Sequence, residues 1–155
     1  MRIPLSLALM TLMAIPAFGD DVPYAAPSPT RLGSSSDTNF NSLSDIMGLT
    51  QLRHIKLWYA GRQQNWALTQ FELREIEDTF GRAAMFYRNI PIGYVASVKR
   101  QLDTMQKAAT EKDSAAFAQG FEGLTGACNA CHKAAQVGFI VIQTPTASPF
   151  SDQKF

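Results

Sequence analysis

The chain has little cysteine, little histidine and almost no charge imbalance, and each shortage removes a class of protein. Of its 155 residues two are Cys and two are His, and 14 Lys+Arg stand against 13 Asp+Glu. A formal net charge of +1 gives no electrostatic footprint for nucleic acid or an anionic membrane surface, so nucleic-acid binding is not expected. No apolar run reaches the roughly 18 residues that cross a bilayer, so no membrane span is expected in the mature chain. Two cysteines are too few for a secreted domain stapled by disulfides. Apart from a short apolar run at 139–142 there is no strand-like segment and no internal repeat. Also missing are a Ser/His/Asp arrangement, a Gly-rich phosphate loop and a paired carboxylate set in an identifiable cleft, so the chain is not expected to be an enzyme. Its length suits one domain.

What is present starts with Arg2, an apolar stretch from Ile3 to Ile15, Pro16 and the small-residue pattern Ala17-Phe18-Gly19. Residues 1–19 read as a secretory signal peptide cleaved after Gly19, which places the mature chain in the periplasm. The alternative, an uncleaved anchor helix, is opposed by the shortness of the run and by Pro16. Residues 20–41 hold Pro23, Pro27, Pro29 and a serine run without apolar periodicity, and are expected to be a flexible leader.

Ordered structure is expected from Ser42 or Ser44, either of which suits a helix N-cap ahead of Asp45. Leu43, Ile46, Met47, Thr50, His54, Leu57, Trp58 and Gly61 fall on one stripe and predict a helix over 43–61. Gly61 suits its C-terminus and Asn65 the next N-cap. A second stripe of Trp66, Leu73, Ile76, Phe80 and Tyr87 predicts helix 66–89, broken by Pro91 and Gly93, with its acidic residues read as a solvated helix start. Val95, Val98, Leu102, Met105 and Ala109 predict helix 94–109. Asp113 caps a fourth helix whose apolar positions are Phe117, Phe121, Leu124, Cys128, Cys131 and Ala135, with Gly138 as its stop. Four stripes joined by short turns predict an all-α protein, an antiparallel up-down-up-down four-helix bundle over 42–138. The stretch 139–155, with Pro145 and Pro149, is predicted to be a non-helical tail whose first residues lie on the bundle and whose end frays.

The two cysteines are Cys128 and Cys131, followed at once by His132. A C-x-x-C-H run reads as the attachment sequence of a c-type haem. On a helix, residues three and four apart share a face, so two thiols can reach one edge of a porphyrin and the imidazole can reach iron. Three other readings compete. A thioredoxin-like pair belongs at a helix N-terminus, where the dipole lowers the thiol pKa, whereas here a long helical stretch precedes the pair. A zinc site needs a fourth ligand, and the other histidine is His54. A structural disulfide leaves His132 unexplained.

With its CNACH run near the end of a fourth helix, the chain resembles the cytochrome c-prime and cytochrome b562-like superfamily over residues 42–138. The resemblance implies a covalently attached haem c, with Cys128 and Cys131 as thioether sites and His132 as the axial iron ligand. It departs from the c-prime pattern in the KAAQVG run after the motif, the long tail, and the first-helix run QLRHIKLWYAG followed by NW, which point to a separate branch. The resemblance leaves two functions open: one-electron transfer with unidentified redox partner proteins, or a five-coordinate site that binds nitric oxide or carbon monoxide. The sixth ligand decides between them, and the candidates are His54 and Met47 on the core stripe of the first helix. Met85 and Met105 are read as packing residues. Arg53 and Lys56 are candidates to pair with haem propionates, or simply part of a solvated face. A second apolar patch on the first helix, Leu52, Ile55 and Tyr59, suggests a partner helix or the tail, and a homodimer through this face is expected.

Overall fold

The computed structural model describes residues 42–88 and 90–155. The predicted signal peptide, 1–19, and leader, 20–41, lie outside the described residues. Four helices carry the fold: α1 (Leu43–Arg62), α2 (Trp66–Phe86), α3 (Ile92–Glu111) and α4 (Ser114–Ala134). α1 packs on α2, α2 on α3, α3 on α4, and α4 closes back on α1, which makes the architecture a four-helix bundle. No described helix is long and apolar enough to cross a membrane.

Local chemistry starts each helix. Ser42 caps α1 in a capping box: its Oγ accepts the Asp45 backbone N–H at 3.3 Å, and Asp45 Oδ2 accepts the Ser42 backbone N–H at 2.9 Å. Asn65 Oδ1 accepts the Leu68 N–H at 3.2 Å, and Asp113 Oδ1 accepts the N–H groups of Ala115 and Ala116, both at 2.9 Å. These bonds satisfy donors that a helix start leaves without an internal partner. α3 has no side-chain cap and starts from Pro91, whose fixed φ of −69° prepares the first turn. It therefore begins at Ile92, ahead of the expected Tyr94.

The helix ends differ from expectation. Gly61 does not terminate α1. It lies within the helix where the ring of Phe117 presses on its backbone, leaving no room for a Cβ. The left-handed turn residue is Gln64, at φ 58°. Gly138 is likewise not the stop of α4, which ends at Ala134 with Gln136 taking φ 62°. α2 ends at Phe86, earlier than the expected 89, because Tyr87 turns extended and buries its ring.

The main core joins Leu57 of α1, Leu73 and Ile76 of α2, Val98, Leu102 and Met105 of α3, and Phe117, Phe121 and Leu124 of α4. Each such side chain contributes about 1.5–3 kcal/mol through the apolar surface it removes from water. A smaller cluster of Ala83, Tyr87 and Ile90 is flanked by Leu43, Ile46, Met47, Phe86 and Val95. Met85, expected to pack, is 69% exposed. The tail is non-helical, but its end does not fray: the Phe155 ring lies 5.5 Å from that of Tyr59, and Lys56 Nζ sits 4.8 Å over the Phe150 ring. Part of the Leu52, Ile55 and Tyr59 patch is thus covered by the chain's own tail.

Candidate functional site

Where the last turns of α4 meet the first half of α1, the bundle opens into a small cleft with a cavity volume of about 30 Å³, room for about one or two water molecules. α1 lines it with Met47, Thr50, Gln51 and His54, α2 with Ile76 and Phe80, α4 with Leu124, Cys128 and His132, and the tail with Ile142. Among the described residues, no Asp, Glu, Lys or Arg lines it. The lining is therefore mainly apolar with a few polar groups. α3 contributes nothing to it.

Cys128 and His132 both open on this cleft, while Cys131 does not line it. All three are half-buried. They occupy the last two turns of α4, beyond the level at which Phe117, Phe121 and Leu124 fill the interior. Both thiols are free. Burial pushes the Cys128 thiol up to about 12 and raises Cys131 as well. Redox-active dithiols carry the opposite shift.

The His132 ring is fixed by the tail. Its Nδ1 lies 2.8 Å from the carbonyl oxygen of Ile140. A carbonyl only accepts, so Nδ1–H donates, and in the neutral imidazole Nε2 keeps its lone pair. That is the arrangement of a metal-binding histidine held from behind by its second nitrogen. Asn129, between the two cysteines, binds the same stretch of tail at two points. Its Nδ2 donates to the Ile142 carbonyl at 2.8 Å and its Oδ1 accepts the Ile142 N–H at 2.7 Å.

Among known proteins, the chain matches no family model, no curated protein and no solved structure. Its site is therefore read from its own geometry.

The two candidates for a sixth ligand both face the cleft, but in different states. His54 is 4% exposed, lies 4.3 Å from the Phe121 ring, and has Nε2 2.9 Å from Thr125 Oγ1. The Thr125 hydroxyl already donates to the Phe121 carbonyl at 2.8 Å, so its oxygen accepts and His54 Nε2–H donates. Burial lowers the His54 pKa to about 4, which keeps the ring neutral at ordinary pH. Met47 is half-buried, between the cleft and the smaller cluster. Arg53 and Lys56, the candidates for haem propionates, both have partners within the chain. Arg53 bridges Glu72 at 3.1 Å and Glu75 at 2.7 Å, and Lys56 covers Phe150.

Several functional side chains gave no signal in the sequence. Thr125 and Asn129 stand at positions where neither periodicity nor the C-x-x-C-H spacing demands a particular residue. Glu72, expected on a solvated face, has a side chain only 3% exposed and bonded to Arg53. Its carboxyl is raised above the ordinary range by burial, and the Arg53 hydrogen bond offsets part of that rise. Among the described residues, every buried side-chain nitrogen and oxygen has a partner. No group of three or more His, Cys, Asp or Glu among them is disposed to hold a bare metal ion.

Proposed function

We propose that the chain is an exported, periplasmic c-type cytochrome, an antiparallel four-helix bundle that carries one electron on a single haem. Cys128 and Cys131 hold the haem covalently and His132 Nε2 ligates its iron. The observation that carries this reading is the His132 ring, anchored through Nδ1 to the Ile140 carbonyl on the wall of an uncharged cleft that it shares with Cys128. The residues present fit the group: two thiols at a three-residue spacing, an imidazole with a free lone pair, and apolar walls. When bound, the haem supplies the one-electron Fe(III)/Fe(II) couple. The chain's own residues bind and tune it. Ile76, Phe80, Leu124 and Ile142 exclude water, Ile140 orients the axial ring, and Met47 or His54 offers a sixth ligand from α1. The order of contacts between α1 and α4 supports the antiparallel arrangement: Gly61 meets Phe117, His54 meets Thr125, and Met47 shares the cleft with His132. This arrangement and the CNACH run together suggest a branch of the c-prime and b562-like superfamily.

Haem that stays with the polypeptide through denaturation and acid-acetone extraction supports the proposal, as does its loss when both cysteines are changed to Ala. Haem extracted from the unaltered chain sinks it. A second reading, a five-coordinate site that binds nitric oxide or carbon monoxide, is favoured by the engagement of His54 Nε2 with Thr125. Spectra of the reduced protein separate the two. A low-spin six-coordinate iron that loses a ligand in Met47→Ala or His54→Ala supports electron transfer, and a high-spin iron that takes up carbon monoxide supports gas binding. A homodimer through Leu52, Ile55 and Tyr59 would have to displace or include the tail. A monomer in sedimentation at high micromolar concentration rules it out.

A further inference from the structure

Asn129 stands in a variable position of the C-x-x-C-H run, where attachment of a cofactor makes no demand on the side chain. In this fold it makes the two-point amide contact with the Ile142 backbone described above. Two of the three residues at 140–142 are thereby tied to the last turns of α4, Ile142 by Asn129 and Ile140 by His132. The intervening turn is tight. Val137 N–H donates to the His132 carbonyl at 2.9 Å, Ile140 N–H donates to the Val137 carbonyl at 2.9 Å, and Gly138 passes so close to Lys133 that an added Cβ would lie 3.4 Å from its Cα.

We propose that Asn129 is a positioning residue for His132. It pins Ile142, the pinned segment holds the Ile140 carbonyl over Nδ1, and that carbonyl selects the tautomer whose Nε2 lone pair faces the iron site. Without the clamp, the Ile140 carbonyl loses the downstream tie that holds it over Nδ1, and the His132 ring loses its fixed acceptor. Hydrogen bonding at Nδ1 increases the electron donation of an axial imidazole, so the same contact biases the iron toward the oxidised state. The redox part of this proposal rests on the cytochrome reading above. The part concerning the ring does not.

The test uses Asn129→Ala and, in case that variant does not fold, Asn129→Asp, whose carboxylate can still accept the Ile142 N–H but has no N–H to donate to the Ile142 carbonyl. In the haem-free full chain, ¹⁵N NMR of the His132 ring is expected to show predominantly the Nδ1-protonated form. Both variants are expected to shift the ring toward the Nε2-protonated form. Ring signals in Asn129→Ala that match the unaltered chain overturn the proposal. In the haem-loaded protein the iron–histidine stretch is expected to fall and the midpoint potential to rise in both variants. Values unchanged from the parent overturn the role of Asn129 at the iron. If the parent chain holds no covalent haem, the cytochrome reading fails, and the NMR result alone decides the positioning role.

Discussion

Where α1 passes into α2, the interior is filled ring against ring. Trp58 and Phe121 lie 4.8 Å apart, Trp66 and Phe117 6.2 Å, and Phe117 and Phe121 6.2 Å, with Gly61 cut back to admit Phe117. Where α4 gives way to the tail, α1 and α4 leave a cleft edged by Met47, Thr50, Cys128 and His132. The apolar stripes run through both ends, so helical period alone does not separate them. Residue size and polarity do: large rings close one end, and Thr, Gln, Cys and His at equivalent depth leave the other open. The closed end fixes the spacing of α1 and α4, and the open end uses that spacing as a site.

Breaking the closed end should therefore cost stability without altering the chemistry of the open one. Phe117→Ala is expected to lose about 3–5 kcal/mol in urea unfolding while the haem attachment proposed at Cys128 and Cys131 persists. A chain that stays folded but no longer retains haem would show that the two ends are not separable.

The junction between the ends holds the next largest effect. His54 is kept neutral by burial, with a pKa of about 4 against 6.5 in the unfolded chain. Below 6.5 the unfolded chain takes up a proton that the folded chain refuses, so this contribution is full above 6.5 and is lost as pH falls toward 4. Its size is about 3 kcal/mol. In the haem-free protein His54→Gln should lack that part of the acid destabilisation, as read from unfolding curves at pH 7 and pH 4. Equal acid losses in parent and variant would contradict the burial.

Gly61→Ala comes third, at about 1–3 kcal/mol, since the new Cβ must displace the Phe117 ring. Loss of stability with unchanged spectra is the expected result. Glu72→Gln is the smallest. Burial holds the Glu72 carboxyl above its ordinary 4.5, so its contribution is full below that value and is lost as pH rises through the folded value. The variant should show no such fall, and its stability relative to the parent should improve with pH. A difference independent of pH would mean that the Arg53 pair cancels the burial, and a variant that loses ground to the parent as pH rises would mean that the pair outweighs it.

The four helices could be read from the sequence because their causes are local: Ser42, Asn65 and Asp113 cap whatever follows them, and a 3.6-residue period needs no neighbour to be seen. The reading failed where a neighbour decides. Gly61 reads as a helix end until Phe117 is placed against it. Glu72 reads as solvated until Arg53 reaches it from α1. Met85 reads as core until α2 ends at Phe86. In the site, Cys128, Cys131 and His132 are consecutive enough to be recognised together, but His54 and Thr125 are 71 residues apart and meet only through helix packing.

The sequence by itself determined where the helices begin, which faces are apolar, and that two thiols and an imidazole share a few turns of α4, because each of these depends on residues within about one turn of one another. Only the tertiary structure decided which end of the bundle stays open, that Met47 and His54 both face it, and that Asn129 and Ile140 fasten the tail to His132. Those outcomes depend on how far one helix is displaced along another and on where a proline-containing tail folds back. Both are set by the packing of side chains distant in sequence, on which local pattern carries no information.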